Sequence, residues 1–464
     1  MDPILSQDRA EFTALLAATL RHATEYVEGL DTAPAVAPVT TPEPEPLPER
    51  GYGLAGALDA FARRWAPGFS ASAGPRYLGF VTGGATPAAV AGDWLTSVCD
   101  QNAAGDGRSS ANALERHTTA WLAELLGLDP AFSGSFVTGA TMSNMVGLAI
   151  AREWLGERMG VSVAEAGVAA LGAVTVLSGT PHSSVYKALS MLGLGRDSLR
   201  VVPTLRDREA VDPTALRAEL ESLGGRPAVV VANAGTVNTA DFDDLTAVAA
   251  LRREYPFWLH VDAAFGGFAA VSPTYAHLVN GLDQADSVCV DLHKWLNVPY
   301  DSAVQFTRRR DLQTRVFQNH AAYLGDPGDS PDFLHLTPEN SRRLRALAAW
   351  FTLTAYGRQG HREIVERNIS AAHRLGELLT ASPRMRLLAP VGLHTVCFTL
   401  AENPTEARIA AVLRSVAESA ETFLTPTHHL EIPAIRGAFS NWRTTTADVD
   451  RIAAAVRQAV DDLS

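Results

Sequence analysis

Apolar positions set the plan of this chain. Between residues 6 and 30, Phe12, Leu15, Leu16, Leu20 and Val27 recur at three- and four-residue steps, the spacing of an amphipathic helix. The next stretch, DTAPAVAPVTTPEPEPLPER (31–50), is proline-rich. Proline fixes φ and removes a donor, so this stretch reads as an extended arm. Residues 112–127 read as a helix that stops at Gly127, and GSFVTGATMSNMVGLAIARE as a strand, a turn and a long helix. Short β-rich runs follow at 173–178, 199–203, 228–232, 257–262 and 287–291, with helical stretches at 212–223 and 243–254 among them. Unbroken apolar runs alternating with helices predict a largely parallel α/β sheet covered on both faces. From about residue 340 the pattern turns to long Arg-rich amphipathic helices (341–379). A strand at LHTVCFTL and helices at 404–419 and 446–462 complete a smaller α/β unit. The expected division is an N-terminal helix and arm (1–73), a large domain (74–345) and a small C-terminal domain (346–464). No internal repeat is visible.

Composition narrows the function. The 464 residues are 47% hydrophobic, enough for a sizeable core, and carry a formal net charge of −12. Nucleic acid and anionic membrane call for basic patches, so neither is expected as a partner. No 18-residue apolar run and no basic n-region with an apolar h-region is present. The three cysteines, Cys99, Cys289 and Cys397, are widely spaced. They suggest a reducing cytoplasm rather than a disulfide framework, and no metal site.

Only two lysines occur, Lys187 and Lys294, among 39 basic residues. A guanidinium stays protonated at any working pH, whereas a lysine amine can be deprotonated and can form a Schiff base. Lys294 follows the run SVCVDLH at a strand end, where open parallel sheets place their sites. Three other strand ends gather polar residues. Gly139 to Asn144 form a small-residue turn that opens a helix, suited to a phosphate. His182 follows the run at 173–178. Asp262 ends WLHVD and, being beside a buried strand, needs a cationic partner or a protonated ring nitrogen. Each alone has an ordinary structural reading: a common turn, a surface histidine, a helix cap, an exposed lysine. Together they supply an anion cradle, a flat side chain, a carboxylate and an imine-forming amine, the set that pyridoxal 5'-phosphate (PLP) requires.

The motifs GATMSNM, PHSSVYKALSMLGLG, GTVNTADFDDL, HVDAA, HKW and ENSRRLRALAAWFTLTAYGRQG, from GPRYLGFVTGG (74–84) onward, resemble the group II PLP-dependent amino-acid decarboxylases. That family includes the aromatic-amino-acid, histidine and glutamate decarboxylases. The resemblance implies an aminotransferase-like fold (PLP fold type I) with a mainly parallel seven-stranded sheet and a homodimer whose active site lies between subunits. It implies Lys294 as the Schiff-base residue and Asp262 as partner of the pyridine nitrogen. Ala264 would pack against the ring and His182 would stack on its other face. Thr141 and Met142, through their N–H groups, and His293 would hold the phosphate, with Thr236 at the cofactor edge. Tyr323, in NHAAYLGD, matches a mobile-loop tyrosine that protonates the substrate α-carbon. Phe80 and Tyr77 would contact a hydrophobic or aromatic substrate, and Arg436 its carboxylate. The family usually has Asn where Asp291 stands and a second Thr where Val237 stands. The expected reaction is decarboxylation of an L-amino acid. The alternatives are an aldehyde synthase, an aminotransferase or C–S lyase of the same fold, and a non-catalytic PLP-binding scaffold.

Overall fold

A computed structural model of the protein describes residues 1–38, 41–102, 109–320, 328 and 331–463. Its strands are β1 (Ser133–Val137), β2 (Val176–Ser178), β3 (Leu199–Val201), β4 (Ala228–Asn233), β5 (Phe257–Asp262), β6 (Ser287–Asp291), β7 (Ala303–Thr307), β8 (Met385–Leu387), β9 (Thr395–Leu400), β10 (Thr425–His429) and β11 (Ile432–Ala438). The helices that matter below are α1 (Phe12–Gly29), α2 (Gly53–Arg64), α3 (Pro87–Cys99), α4 (Ala140–Met159), α5 (Ser183–Met191), α6 (Leu292–Trp295), α7 (Ala346–Thr380), α8 (Glu406–Glu418) and α9 (Thr446–Asp461).

Seven strands form one sheet in the order β1-β7-β6-β5-β4-β2-β3. The pairs β6/β5, β5/β4, β4/β2 and β2/β3 are parallel, and β7 runs antiparallel to both its neighbours. This is the mainly parallel seven-stranded α/β sheet of PLP fold type I that the motifs implied. Every residue of β4, β5 and β6 is buried, which explains why these strands read as unbroken apolar runs. Two hydrophobic clusters cover the two faces: one includes Val230, Leu259 and Val288, the other Val229, Val231 and Trp258. Alternate residues of a strand point to opposite faces, so Val229 and Val230 belong to different clusters.

A second sheet, β10-β11-β9-β8, carries its own core with α8, α9 and the later part of α7. The pattern placed no strands at 303–307 or 425–438. In β7 the buried Gln305 interrupts the apolar run; its amide is satisfied by Phe306 O and the Ser143 hydroxyl. The β10–β11 hairpin turns at Leu430 and Glu431, both at positive φ (47° and 66°), where Gly or Asn is the usual signal.

Candidate active site

The carboxyl ends of β4, β5 and β6 lie in register, with Asn233 paired to Asp262 and Asp262 to Cys289. A cavity of about 260 Å³ opens above them. Ala140, His182, Asp262, Ala264, His293, Lys294, Phe80 and Arg436 all line it. Residues spread over more than 350 positions of chain thus meet at one place.

Asp262 is 6% exposed. Its Oδ2 accepts from Asn144 Nδ2 at 2.8 Å and its Oδ1 from the Ala264 N–H at 3.2 Å. His182 caps α5: its Nδ1 accepts the Ser184 N–H at 3.2 Å and lies 2.8 Å from the Ser184 hydroxyl. A ring nitrogen that accepts a backbone N–H carries no proton, so in the neutral ring the hydrogen sits on Nε2. Burial, foremost, lowers the His182 pKa and favours that neutral form; the Asp262 charge opposes this.

Lys294 sits in the single turn of α6 that follows β6. Its amine is 3.5 Å from Asp291 Oδ2 and 5.4 Å from the centre of the Phe265 ring. The turn is held tightly from outside: a Cβ on Gly83 would overlap the Lys294 carbonyl oxygen. Asp291 stands where the resemblance implied Asn, and its placement answers what an acid does there. It faces two basic side chains, Lys294 and His293, whose Nδ1 lies 3.1 Å from Asp291 Oδ1. That nitrogen already accepts the Ser302 N–H, so the contact with His293 is close but carries no hydrogen bond. The His293 ring also packs on Tyr300, 4.2 Å between centres. Burial pushes the Tyr300 phenol up to about 12.

Thr141 and Met142 occupy the second and third positions of α4, after Gly139 and Ala140. No side chain caps this helix start, and Gly139 lies so close to His293 that a Cβ there would stand 3.4 Å from its Cε1. Arg436 is 4% exposed. Its Nη1 donates to Phe80 O at 2.8 Å and its Nε to Val237 O, while Nη2 is buried without a partner among the described residues. Burial lowers its pKa to about 10.

Two expected contacts are placed elsewhere. The Thr236 hydroxyl points away from the cavity to Glu209 and is buried; its neighbour Val237 lines the wall instead. Tyr77 stacks on Phe423 at 4.8 Å and is not part of the cavity wall. Tyr323 lies outside the described residues. Tyr300 was not singled out by the motifs, and Asn144 was named only as the end of the turn from Gly139 to Asn144, with no role of its own. Asn144 had one available signal: it stands four positions after Ala140, one turn further along the same helix face.

The donor set fits PLP. The cavity offers a primary amine for a carbonyl, a carboxylate for a protonated ring nitrogen, and an uncapped helix start for a phosphate. It also holds a buried guanidinium nitrogen, Arg436 Nη2, that has no partner among the described residues.

Residues 43–401 match the family model described as the pyridoxal-dependent decarboxylase conserved domain. The chain is 27% identical over 404 residues to an aromatic-L-amino-acid decarboxylase of Bacillus atrophaeus, covering 84% of this chain and 82% of that protein. An aromatic-L-amino-acid decarboxylase of Bos taurus is 31% identical over 323 residues, covering 66% of this chain and 65% of that protein, just under two thirds of its length. An L-2,4-diaminobutyrate decarboxylase of Rhizobium meliloti (strain 1021) is 29% identical over 436 residues, 90% of this chain and 84% of that one. Among solved structures, Oryza sativa TDC with PLP and tryptamine superposes with a TM-score of 0.91 at 21% identity, covering 100% of this chain and 99% of that one. Mouse CSAD superposes with a TM-score of 0.87 at 23% identity, covering 98% and 100%. At these identities the structural likeness speaks for the fold.

Proposed function

The chain belongs to the pyridoxal-dependent decarboxylase family, and from that we propose that it converts an aromatic or other hydrophobic L-amino acid into the corresponding amine and CO₂. The observation that carries this reading is the meeting of Lys294, Asp262 and His182 around one cavity. When bound, PLP supplies the electron sink that receives the pair left when a bond at Cα breaks. The chain's own part is to hold, orient and exclude water.

In this reading Lys294 would supply the amine that holds the cofactor, and Asp262 would keep a proton on the ring nitrogen. His182 and Ala264 would pack against the ring. The N–H groups of Thr141 and Met142, with His293, would hold the phosphate. Phe80 and Val237 border the substrate side chain, and the free Nη2 of Arg436 is assigned to the substrate carboxylate. Tyr323 is assigned the proton that Cα receives after CO₂ leaves. The aromatic preference is supported by the names of the Bacillus and bovine relatives and by Phe80 at the cavity wall.

We further assign a homodimer and a cytoplasmic setting. Exposed apolar side chains on the N-terminal helices, Phe12, Leu16 and Leu20 on α1, Phe61 on α2, and Trp94 and Val98 on α3, support a partner subunit there. Three free cysteines support a reducing compartment. The large and small domains are assigned to 74–345 and 346–464, with 1–73 as the dimer arm.

The test is to incubate the purified protein with PLP and a panel of L-amino acids, measuring amine, CO₂, aldehyde and peroxide. Amine and CO₂ from an aromatic substrate are expected. No CO₂ from any member overturns the reading, and aldehyde with peroxide replaces it with an aldehyde synthase. Lys294→Ala is expected to remove the visible absorption band of bound PLP.

A further inference from the structure

Asp262 has a buried supporting chain that takes no part in lining the cavity. Trp258 Nε1 donates to Ser287 Oγ at 2.8 Å, and Ser287 Oγ lies 2.7 Å from His260 Nδ1. His260 Nε2 lies 2.9 Å from Asn144 Oδ1, and Asn144 Nδ2 reaches Asp262 Oδ2 at 2.8 Å and Ser184 Oγ at 3.1 Å. Ser184 in turn meets His182. His260, Asn144 and Ser287 are all 0% exposed.

The hydrogens along this chain have one consistent assignment. A carboxylate only accepts, so Asn144 turns its NH2 to Asp262 and its Oδ1 to His260 Nε2, which must carry a hydrogen. Burial lowers the His260 pKa to about 4, so the ring is neutral and its bare Nδ1 accepts from the Ser287 hydroxyl, which itself accepts the Trp258 N–H. The His260 N–H thus reinforces the orientation that sends both amide hydrogens of Asn144 to Asp262 and Ser184. Without it the Asn144 oxygen is buried with no donor and the amide loses its second anchor. The helix makes room for the ring: a Cβ on Gly147 would lie 2.6 Å from His260 Cε1.

We propose that Asn144, oriented by His260, is a positioning residue of the reaction. It fixes the plane of the Asp262 carboxylate and, by loading Oδ2 with a donor, keeps the shared proton on the cofactor's ring nitrogen. The inference rests on the reading above that Asp262 faces that nitrogen. A carboxylate that loses a hydrogen-bond donor binds protons more strongly. It would draw the ring proton to itself and weaken the electron sink. Through Ser184 the same amide is tied to His182, so both residues assigned to the ring take their position from Asn144. The other titratable groups around Asp262 are His182, Cys289, Asp291 and Lys294, with Arg436 beyond His182.

The experiment titrates the visible absorption of the PLP-loaded protein against pH without substrate, and pairs it with steady-state kinetics. Asn144→Leu is expected to move the titration midpoint up by about one pH unit. It should lower kcat roughly tenfold, the scale of one hydrogen bond to a charged group, with KM within about twofold. His260→Phe should follow it, and His260→Gln, whose amide can both donate to Asn144 and accept from Ser287, should restore the wild-type midpoint. Should Asn144→Leu fail to fold, Asn144→Ser, one atom shorter, makes the same comparison. Folded variants with wild-type midpoints overturn the proposal while leaving the site reading intact. A wild-type protein with no visible band overturns the site reading and this inference with it.

Discussion

The Asp291 carboxylate stands 3.5 Å from the Lys294 amine, one helical turn apart in the chain, and the two side chains are only 3% and 18% exposed. An amine held in an ion pair must leave its partner before it can attack a carbonyl. Asp291→Asn keeps the shape and removes the charge, and is expected to speed PLP uptake at a fixed pH roughly tenfold, the scale of one hydrogen bond to a charged group. Stopped-flow absorbance reads this directly; superimposable traces would show that the pair has no bearing on the amine.

Gly83 packs on the Lys294 carbonyl with no room for a side chain. Gly83→Ala must push the 292–295 turn out of place, an overpacking cost of roughly 1–3 kcal/mol. PLP affinity is expected to fall at least about tenfold. Circular dichroism should stay native, since the clash is local. Wild-type affinity in equilibrium titration would mean that the backbone yields.

Arg436 ties two walls of the cavity together through Phe80 O and Val237 O. A lysine has a single nitrogen and cannot reproduce that fork. Arg436→Lys is expected to raise KM for the amino acid about tenfold while kcat changes less than about threefold, from the loss of one charged hydrogen bond. Equal loss in kcat alone would move Arg436 from binding into the chemical step.

Phe80 lines the cavity with φ at 58°, a region costly for a side chain with a Cβ. Phe80→Gly is expected to be more stable than Phe80→Ala by roughly 1 kcal/mol, by denaturant melting. Both should bind an aromatic substrate less well than the wild type.

Burial lowers the pKa of His361, on α7, to about 4 from its ordinary 6.5. The unfolded chain therefore takes up a proton before the folded one does. The contribution is full above the ordinary value and is lost as pH falls toward about 4. His361→Leu is expected to flatten the fall of stability by about 1.4 kcal/mol per pH unit within that window. Asp243, raised to about 6 by burial, works in the opposite sense, and is unchanged in both proteins being compared. Urea midpoints at several pH values give the answer; parallel curves would refute it.

Lys294 and Asp262 were legible because each ends an apolar run, and a polar residue at that point of a parallel strand has few ordinary uses. Thr236 and Tyr77, expected from the family resemblance, show its limit. Thr236 lies in the right loop, but a shift of one residue turns a side chain to the other side of the backbone, and Val237 faces the cavity instead; Tyr77 packs on Phe423. Asn144 was named as part of the turn from Gly139 to Asn144, but its role was hidden because its partner Asp262 is 118 positions away. Nothing in a helix reveals which of its polar residues will meet a strand end.

What the sequence determined by itself is the set of chemical groups and the order of elements that carries them. Apolar period and residue type are local properties, and they were sufficient for the parallel sheet, the strand-end lysine and aspartate, and the PLP-binding class. Tertiary structure alone decided which neighbours complete those groups. Asp291 faces Lys294, Asn144 supports Asp262, and Arg436 clamps Phe80 to Val237 only because distant segments pack at one set of strand ends. Such contacts depend on where whole elements come to rest, which no local pattern encodes.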